Sequence, residues 1–118
     1  MNDFYLPNLD EHGWALDDGE IANQANPDTY KIPPFAERST LKEGDMAKIR
    51  FLYRDKLEDP IWDPAERMWV EVTGFQGDYY LGKLSNDPVM TDLIAWGQPL
   101  LFEPRHVIDI IRKADLEE

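Results

Sequence analysis

The segment Asp45–Tyr53, with the sequence DMAKIRFLY, decides the fold because its side chains alternate between apolar and polar. Every second residue is apolar and would share one face of an extended chain: Ala47, Ile49, Phe51 and Tyr53. The cations Lys48 and Arg50 fall on the opposite face. This period of two predicts a half-buried β-strand.

Downstream segments predict further short strands. Arg67–Thr73 alternates in the same way, and Tyr79–Leu84 follows it after a turn with two glycines, so the pair is a predicted hairpin. Leu100–Phe102 predicts a short strand. The final segment, Arg105–Glu118, has an apolar spacing that fits a helix as well as a strand, and we interpret it as a strand with a polar tail.

These strands and the Gly and Pro turns between them predict the fold class. Four or five such strands favour an α+β fold, a small, strongly bent antiparallel sheet or partly open SH3-like barrel with a short N-terminal helix. We predict that residues 27–118 form a single compact β-rich domain. Residues 1–26 are predicted to be an acidic N-terminal arm.

The charge of the N-terminal segment sets it apart from the rest of the chain. Residues 1–28 contain seven Asp or Glu and no Lys or Arg. Asp17 and Glu20 have the spacing of a capping box, which predicts a short helix through about Gln24. Because such charge runs are usually solvated, we expect a partly flexible arm. The alternative is an arm that contacts a basic partner.

The composition excludes several classes of function. The 118 residues carry a net charge of −12 and no cysteine, so disulfides and thiolate metal sites are excluded. The same charge opposes binding to the phosphate backbone of nucleic acids. There is no apolar run long enough to span a membrane, and the N-terminus lacks the pattern of a secretory leader. We therefore expect a cytoplasmic protein that attracts positively charged partners.

Residues suited to catalysis or metal binding are few. His12 lies in the acidic arm, and His106 stands three residues before Asp109, a spacing that orients an imidazole only on a helix. The acids within residues 10–20 and 55–63 do not follow the ligand order of a calcium loop, and no nucleotide-binding glycine motif is present. We expect no cofactor, no metal and no enzymatic activity.

The segment Glu66–Val72, with the sequence ERMWVEV, is the most informative for function. If its even-numbered apolar residues face the core, Arg67 and Trp69 project from the opposite face of the sheet. Either the N-terminal segment or the connection over residues 54–65 folds over Trp69, or Trp69 and Arg67 form an exposed anchor pair. Trp and Arg are the residue types that dominate protein-binding hot spots.

The loop Ser85–Pro88 has two interpretations as well. Asn86 and Asp87 can cap a turn through their own side chains, and the proline then directs the exit of the chain. Alternatively, their polar groups face a ligand beside Trp69.

Four segments resemble a family of small bacterial proteins catalogued as domain of unknown function 2314. The pair ERMWV and GKLSNDP carries most of the specificity. The segments are PDTYKIPPFAER (Pro27–Arg38), LKEGDMAKIRF (Leu41–Phe51), ERMWVEVTGFQGDYYLGKLSNDPV (Glu66–Val89) and FEPRHVIDI (Phe102–Ile110). The resemblance implies a compact β-rich domain and a bacterial origin, without an established activity. Similar domains occur beside toxin systems, which implies an immunity role. The acidic Met1–Asn26 and the Pro-rich Asp55–Pro64 depart from the family pattern.

The leading hypothesis is an acidic, non-enzymatic protein-binding domain, most concretely an immunity protein that occludes the active site of a basic toxin. Acidic residues would steer the partner from a distance: Asp10, Glu11, Asp17, Asp18 and Glu20. Residues of the sheet and the following loop would make close contacts: Arg67, Trp69, Asn86 and Asp87. The protein would act as a monomer or weak homodimer.

Two alternatives remain open at this point. One is an enzyme or a small-molecule-binding module whose site is formed by Glu66, Arg67, Trp69, Asn86 and Asp87. In that case Arg67 would hold an anionic group and Trp69 would stack on a planar one. The other is a housekeeping domain without a distinct site.

Overall fold

The computed structural model describes residues 3–56 and 65–116. The described residues form an α+β fold around one strongly curled antiparallel sheet, as the sequence predicts. The strand order is β1-β2-β3-β4-β5, and β6 pairs with β2. The strands are β1 Trp14–Leu16, β2 Met46–Tyr53, β3 Ala65–Gln76, β4 Tyr79–Leu84, β5 Pro99–Phe102 and β6 Val107–Ile111.

The helices are short and lie outside the sheet. They are α1 Leu9–His12, α2 Gly19–Ala25, α3 Phe35–Arg38 and α4 Lys113–Leu116, with 3-10 turns at Arg54–Lys56 and Pro104–His106. The predicted helix near residue 20 is confirmed as α2, but its cap is Asp18 and not Asp17. The Asp18 carboxylate accepts hydrogen bonds from the backbone N–H groups of Glu20 and Ile21 at 2.9 and 3.1 Å. No helix in the described part of the chain has the length and apolarity that a membrane crossing needs.

Strand β2 lies at the centre of the fold. The inward face predicted from its alternation is confirmed, because every second residue is fully buried: Ala47, Ile49, Phe51 and Tyr53. One edge of β2 pairs with β3, from Met46 opposite Glu71 to Leu52 opposite Ala65. The other edge is shared, since β6 pairs with its first half and β1 with its second half. The alternation along β2 therefore decides which face of its three neighbouring strands, β1, β3 and β6, points toward the core.

The hairpin of β3 and β4 is confirmed, with a longer first strand than predicted. Strand β3 continues through Gln76 because the register shifts between Val72 and Gly74, so the turn narrows to Gly77-Asp78. Gly82 in β4 lets the sheet curl tightly. A Cβ atom at this position would lie 2.5 Å from the Val70 side chain and 2.9 Å from the Phe102 ring.

The N-terminal segment packs on the domain, which differs from the solvated arm predicted for residues 1–26. Trp14 lies opposite Tyr53 in the sheet, is 1% exposed, and stacks on Phe51 with ring centres 5.8 Å apart. Before this strand, the Tyr5 carbonyl accepts a hydrogen bond from the Leu101 N–H at 2.8 Å. Residues 5–16 thus link β5 at one end of the strand order to β1 at the other.

The C-terminal strand is confirmed as β6, which the short helix α4 follows. The long polar connection after β2 is described only at its beginning, in the 3-10 turn Arg54–Lys56. Residues 57–64, which include most of the predicted acidic loop and its prolines, lie outside the described residues.

Candidate partner-binding surface

Three of the five acids predicted to steer a partner are held in ion pairs within the protein. Asp17 lies 2.8 Å from Arg50 of β2, and Asp18 lies 3.2 Å from Arg105 in the turn before β6. These contacts join the start of α2 to strand β2 and to the turn before β6. Because an arginine offsets part of the charge of each carboxylate at long range, these acids contribute less to steering than unpaired acids do.

The third paired acid, Glu20, binds a buried arginine. Arg38 is 5% exposed, and its Nη1 atom donates hydrogen bonds to the Glu20 carboxylate at 2.6 Å and to the Pro104 carbonyl at 2.8 Å. Its Nε atom donates to the Pro33 carbonyl at 2.7 Å. One guanidinium therefore joins α2, α3 and the turn before β6. A buried arginine is tolerated here because its donors meet a carboxylate and two carbonyls.

The other two predicted acids, Asp10 and Glu11, are exposed in the first turn of α1. Their backbone N–H groups donate to the side chain of Asn8, which caps the helix. Their carboxylates face solvent, so of the five predicted acids these two are the ones whose side chains remain suited to long-range attraction.

Arg67 and Trp69 project from the outer face of the sheet, as alternation predicts, and each has an aromatic or cationic neighbour. The Lys48 ammonium lies 5.1 Å from the centre of the Trp69 ring, which is half-buried. The guanidinium of Arg67 lies 5.4 Å from the centre of the Tyr30 ring. Trp69 is therefore partly covered by β2 itself, a neighbour that the sequence reasoning did not consider.

Asn86 serves the architecture of its loop. Its side-chain oxygen accepts a hydrogen bond from the Trp69 N–H at 2.6 Å, and the Ser85 N–H donates to the Trp69 carbonyl at 2.8 Å. The loop thus continues the pairing of β4 along β3. Asp87 is exposed beside it. The two motif halves, ERMWV and GKLSNDP, are consequently joined by direct hydrogen bonds.

Glu66 points away from Arg67, because neighbouring residues of a strand face opposite sides. Its carboxylate accepts hydrogen bonds from the Tyr53 hydroxyl at 2.9 Å and from the N–H groups of Val89 and Met90 at 3.0 and 2.8 Å. Burial and the nearby Glu66 carboxylate raise the pKa of Tyr53 well above its ordinary value. The five residues of the alternative ligand site therefore do not converge.

A groove that the sequence reasoning missed lies between α3, the β3–β4 turn and the turn before β6. It encloses about 540 Å³. Its walls include two largely exposed phenylalanines, Phe35 at 60% and Phe75 at 55%. A signal was present in the sequence, since Phe75 lies in the otherwise polar GFQGD segment and Phe35 follows two prolines.

Charged side chains around the groove are mainly acidic. The groove is lined by Glu20, Asp78 and Glu103, against the single cation Arg105. Arg105 lies 3.1 Å from Glu103 and also pairs with Asp18. Asp78 is exposed, and no cation of the described residues lies within 4.0 Å of its carboxylate. The groove therefore combines apolar walls with a negative rim.

His106 stabilises the turn Pro104–His106, whose first two residues line the groove. The imidazole is buried, and its Nδ1 atom accepts a hydrogen bond from the Glu103 N–H at 2.9 Å. Burial, together with the neighbouring Arg105 cation and against the opposing effect of Asp18, lowers the pKa of His106 to about 3. The side chain is neutral at physiological pH, and its position indicates a structural role.

The buried neutral His106 predicts a loss of stability in acid. The imidazole takes up a proton near pH 6.5 in the unfolded chain, whereas its pKa in the folded chain is about 3. The stability that this difference contributes is therefore complete above about pH 6.5 and is lost as the pH falls. We expect the free energy of unfolding to fall by about 2 kcal/mol from about pH 7 to about pH 5 through this group. Urea denaturation of the wild type and His106→Asn, which keeps an acceptor for Glu103, measures the difference. Equal pH dependence in both proteins would contradict the assignment.

No group of His, Asp or Glu side chains within residues 3–56 and 65–116 has an arrangement suited to holding a metal ion. Comparison of the chain with family models, with curated proteins and with solved structures gave no match.

Proposed function

We propose that this chain is a non-enzymatic binding protein for a basic protein and that the Phe35–Phe75 groove is its contact surface. The observation that carries the proposal is the exposure of two phenylalanine rings, 60% and 55%, on the walls of one groove. Exposed aromatic side chains gathered around a concavity are typical of interfaces, whose buried centres are enriched in aromatic residues.

The groove offers affinity through apolar burial. Covering the exposed part of each ring with an apolar side chain of a partner would contribute of order 1 kcal/mol or more. The rings are held in place from behind: Phe75 packs on Tyr80 with ring centres 5.8 Å apart, and the Arg38 guanidinium lies 5.6 Å from the centre of the Phe35 ring. Such preorganised walls reduce the entropy lost on binding.

The charge of the protein favours a basic partner. The net charge is −12, and of this charge the exposed Asp78 lies at the rim of the groove, close to the apolar walls. Asp10 and Glu11 are two further exposed acids, in the first turn of α1. A basic protein would be steered toward this surface, which raises the association rate at low ionic strength.

In the most concrete form of this proposal, the chain is a cytoplasmic bacterial immunity protein that occludes the active site of a basic toxin. A toxin that acts on phosphate-containing substrates needs a positive active site, and a small acidic protein is suited to cover it. The same proposal includes the resemblance to domain of unknown function 2314, because similar domains occur beside toxin systems.

The test is affinity capture from a lysate of the source organism at low and moderate salt, with mass spectrometry as the readout. We expect one dominant basic protein, whose recovery falls as salt is raised. The variant Phe35→Ser/Phe75→Ser should lose this protein almost completely, because both apolar walls become polar. Binding should be quantified afterwards with the purified partner.

The matched control is Val89→Ser/Trp96→Ser, which removes two exposed apolar side chains from the loop after β4. This variant should capture the partner as the wild type does. Loss of the partner in the control but not in the groove variant would move the contact surface to that loop. Absence of any partner at both salt concentrations would contradict the proposed function.

A further inference from the structure

A small cationic pocket lies on the outer face of the sheet, apart from the Phe35–Phe75 groove. It encloses about 180 Å³ and shares no lining residue with the groove. Three cations line it, each from a different element or loop: Lys31, Lys48 and Arg67. Thr29 and Tyr30 add a hydroxyl and a ring, and Asp109 is the one acid in the lining. The local charge is opposite to that of the protein.

The strand register brings these cations together. Lys48 of β2 lies opposite Trp69 of β3, and Arg67 lies opposite Arg50 two residues further along. Like charges directly opposite each other on antiparallel strands repel and destabilise the pair. Asp17 partly neutralises Arg50 at 2.8 Å. Lys48 and Arg67 are diagonal neighbours on this face of the sheet, so one anion could lie between them.

The three pocket cations differ from the remaining arginines of the sheet region because they have no carboxylate partner in the described part of the chain. Within the described residues, no carboxylate lies within 4.0 Å of Lys31, Lys48 or Arg67. Carboxylates do pair with four arginines of the described residues: Arg38, Arg50, Arg105 and Arg112. Asp109 lies opposite Lys48 in the sheet, but its carboxylate accepts the Ile110 N–H instead.

Aromatic rings hold two of the cations in position. The Arg67 guanidinium lies over the Tyr30 ring at 5.4 Å, and the Lys48 ammonium lies over the Trp69 ring at 5.1 Å. A ring face attracts the cation without occupying its N–H donors in the way that a carboxylate does. The planar fork of Arg67 is thus preorganised for an oxyanion with two acceptor atoms.

We propose that this pocket binds the phosphate group of a small molecule. The volume of about 180 Å³ is below the roughly 300–1,000 Å³ of pockets that enclose a whole ligand, so the anionic group alone would sit inside. Three cations against one acid match a dianion. The acids elsewhere on the protein are screened over about 8 Å at physiological ionic strength, so the local charge dominates.

The test is a titration followed by two-dimensional amide NMR, with inorganic phosphate and glycerol phosphate added to separate samples. Sodium chloride at equal ionic strength is the control for salt effects. We expect saturable shifts centred on residues 29–31, 48 and 67. Tighter binding of glycerol phosphate would identify a phosphomonoester as the ligand class, and tighter binding of inorganic phosphate would identify the free ion.

Two variants and a matched control decide whether the pocket is the site. Arg67→Gln should weaken binding by at least about tenfold, since it removes the bidentate donor, and Lys48→Gln should weaken it in the same direction. Lys83→Gln removes an exposed cation of β4 outside the pocket and should leave the affinity within about twofold of the wild type. Shifts that never saturate, or equal affinities in all three variants, would overturn the proposal.

Discussion

Replacing Trp14 by alanine is expected to destabilise the fold by about 3–5 kcal/mol, the usual cost of deleting a buried tryptophan. Trp14 is 1% exposed, stacks on Phe51 and meets the edge of the Tyr5 ring, so its removal leaves a cavity between the N-terminal segment and β2. A change of this size is a large part of the stability of a small domain. Urea denaturation monitored by circular dichroism measures it.

Trp96→Ala is the matched control, because Trp96 is 61% exposed in the loop after β4. We expect its free energy of unfolding to stay within about 0.5 kcal/mol of the wild type. If Trp14→Ala were as mild as Trp96→Ala, the N-terminal segment would be a solvated arm, as its charge alone suggests, and not a part of the core.

The second large effect is expected at Arg38. The substitution Arg38→Met should cost about 3 kcal/mol, the lower end of the range for breaking a buried ion pair. The lower end applies because the Glu20 side chain is 34% exposed and water can partly solvate its carboxylate. The carbonyls of Pro33 and Pro104 lose a donor at the same time. The loss should be visible both in urea and in thermal denaturation.

Arg67→Met is the control for Arg38, since it makes the same substitution at an exposed position. It should change the free energy of unfolding by no more than about 0.5 kcal/mol. The free energy of unfolding of Glu20→Gln should lie between those of Arg38→Met and Arg67→Met, because an amide can still accept a hydrogen bond from Arg38. A neutral result for Arg38→Met would show that the guanidinium does not hold α2, α3 and the turn before β6 together.

The central strands are predictable from the sequence because their constraint is local. In β2 the alternation from Ala47 to Tyr53 needs no knowledge of distant residues, and burial on one face follows directly. The hairpin of β3 and β4 follows from the same alternation and the glycines between the strands. The extension of β3 to Gln76 is less predictable, because it depends on a register shift that tertiary packing selects.

The N-terminal segment is the part of the fold that its local sequence pattern predicts wrongly. Its run of acids suggests solvation, yet Asp17, Asp18 and Glu20 meet arginines that follow them by 33, 87 and 18 positions in the chain. No local pattern indicates such pairs. The three-residue strand β1 is also too short to show alternation, so the burial of Trp14 becomes visible only when β2 is in place.

The same limit applies to the candidate surface. The position of Arg67 and Trp69 on the outer face is predictable, because it follows from alternation along β3. Phe35 begins α3 and Phe75 lies near the end of β3, and their proximity depends on how α3 packs beside the hairpin turn. The predicted roles of Asn86 and Asp87 in binding stay predictions, although Asn86 has a structural partner in the Trp69 N–H.

The measurement that tests the central claim most directly is amide hydrogen exchange of this protein alone and in complex with the captured basic partner. The groove account predicts slower exchange on binding in residues 35–39, 75–80 and 103–105, which belong to the segments lining the groove. Protection confined to the loop over residues 87–97, or to the outer sheet face around Trp69, would contradict it.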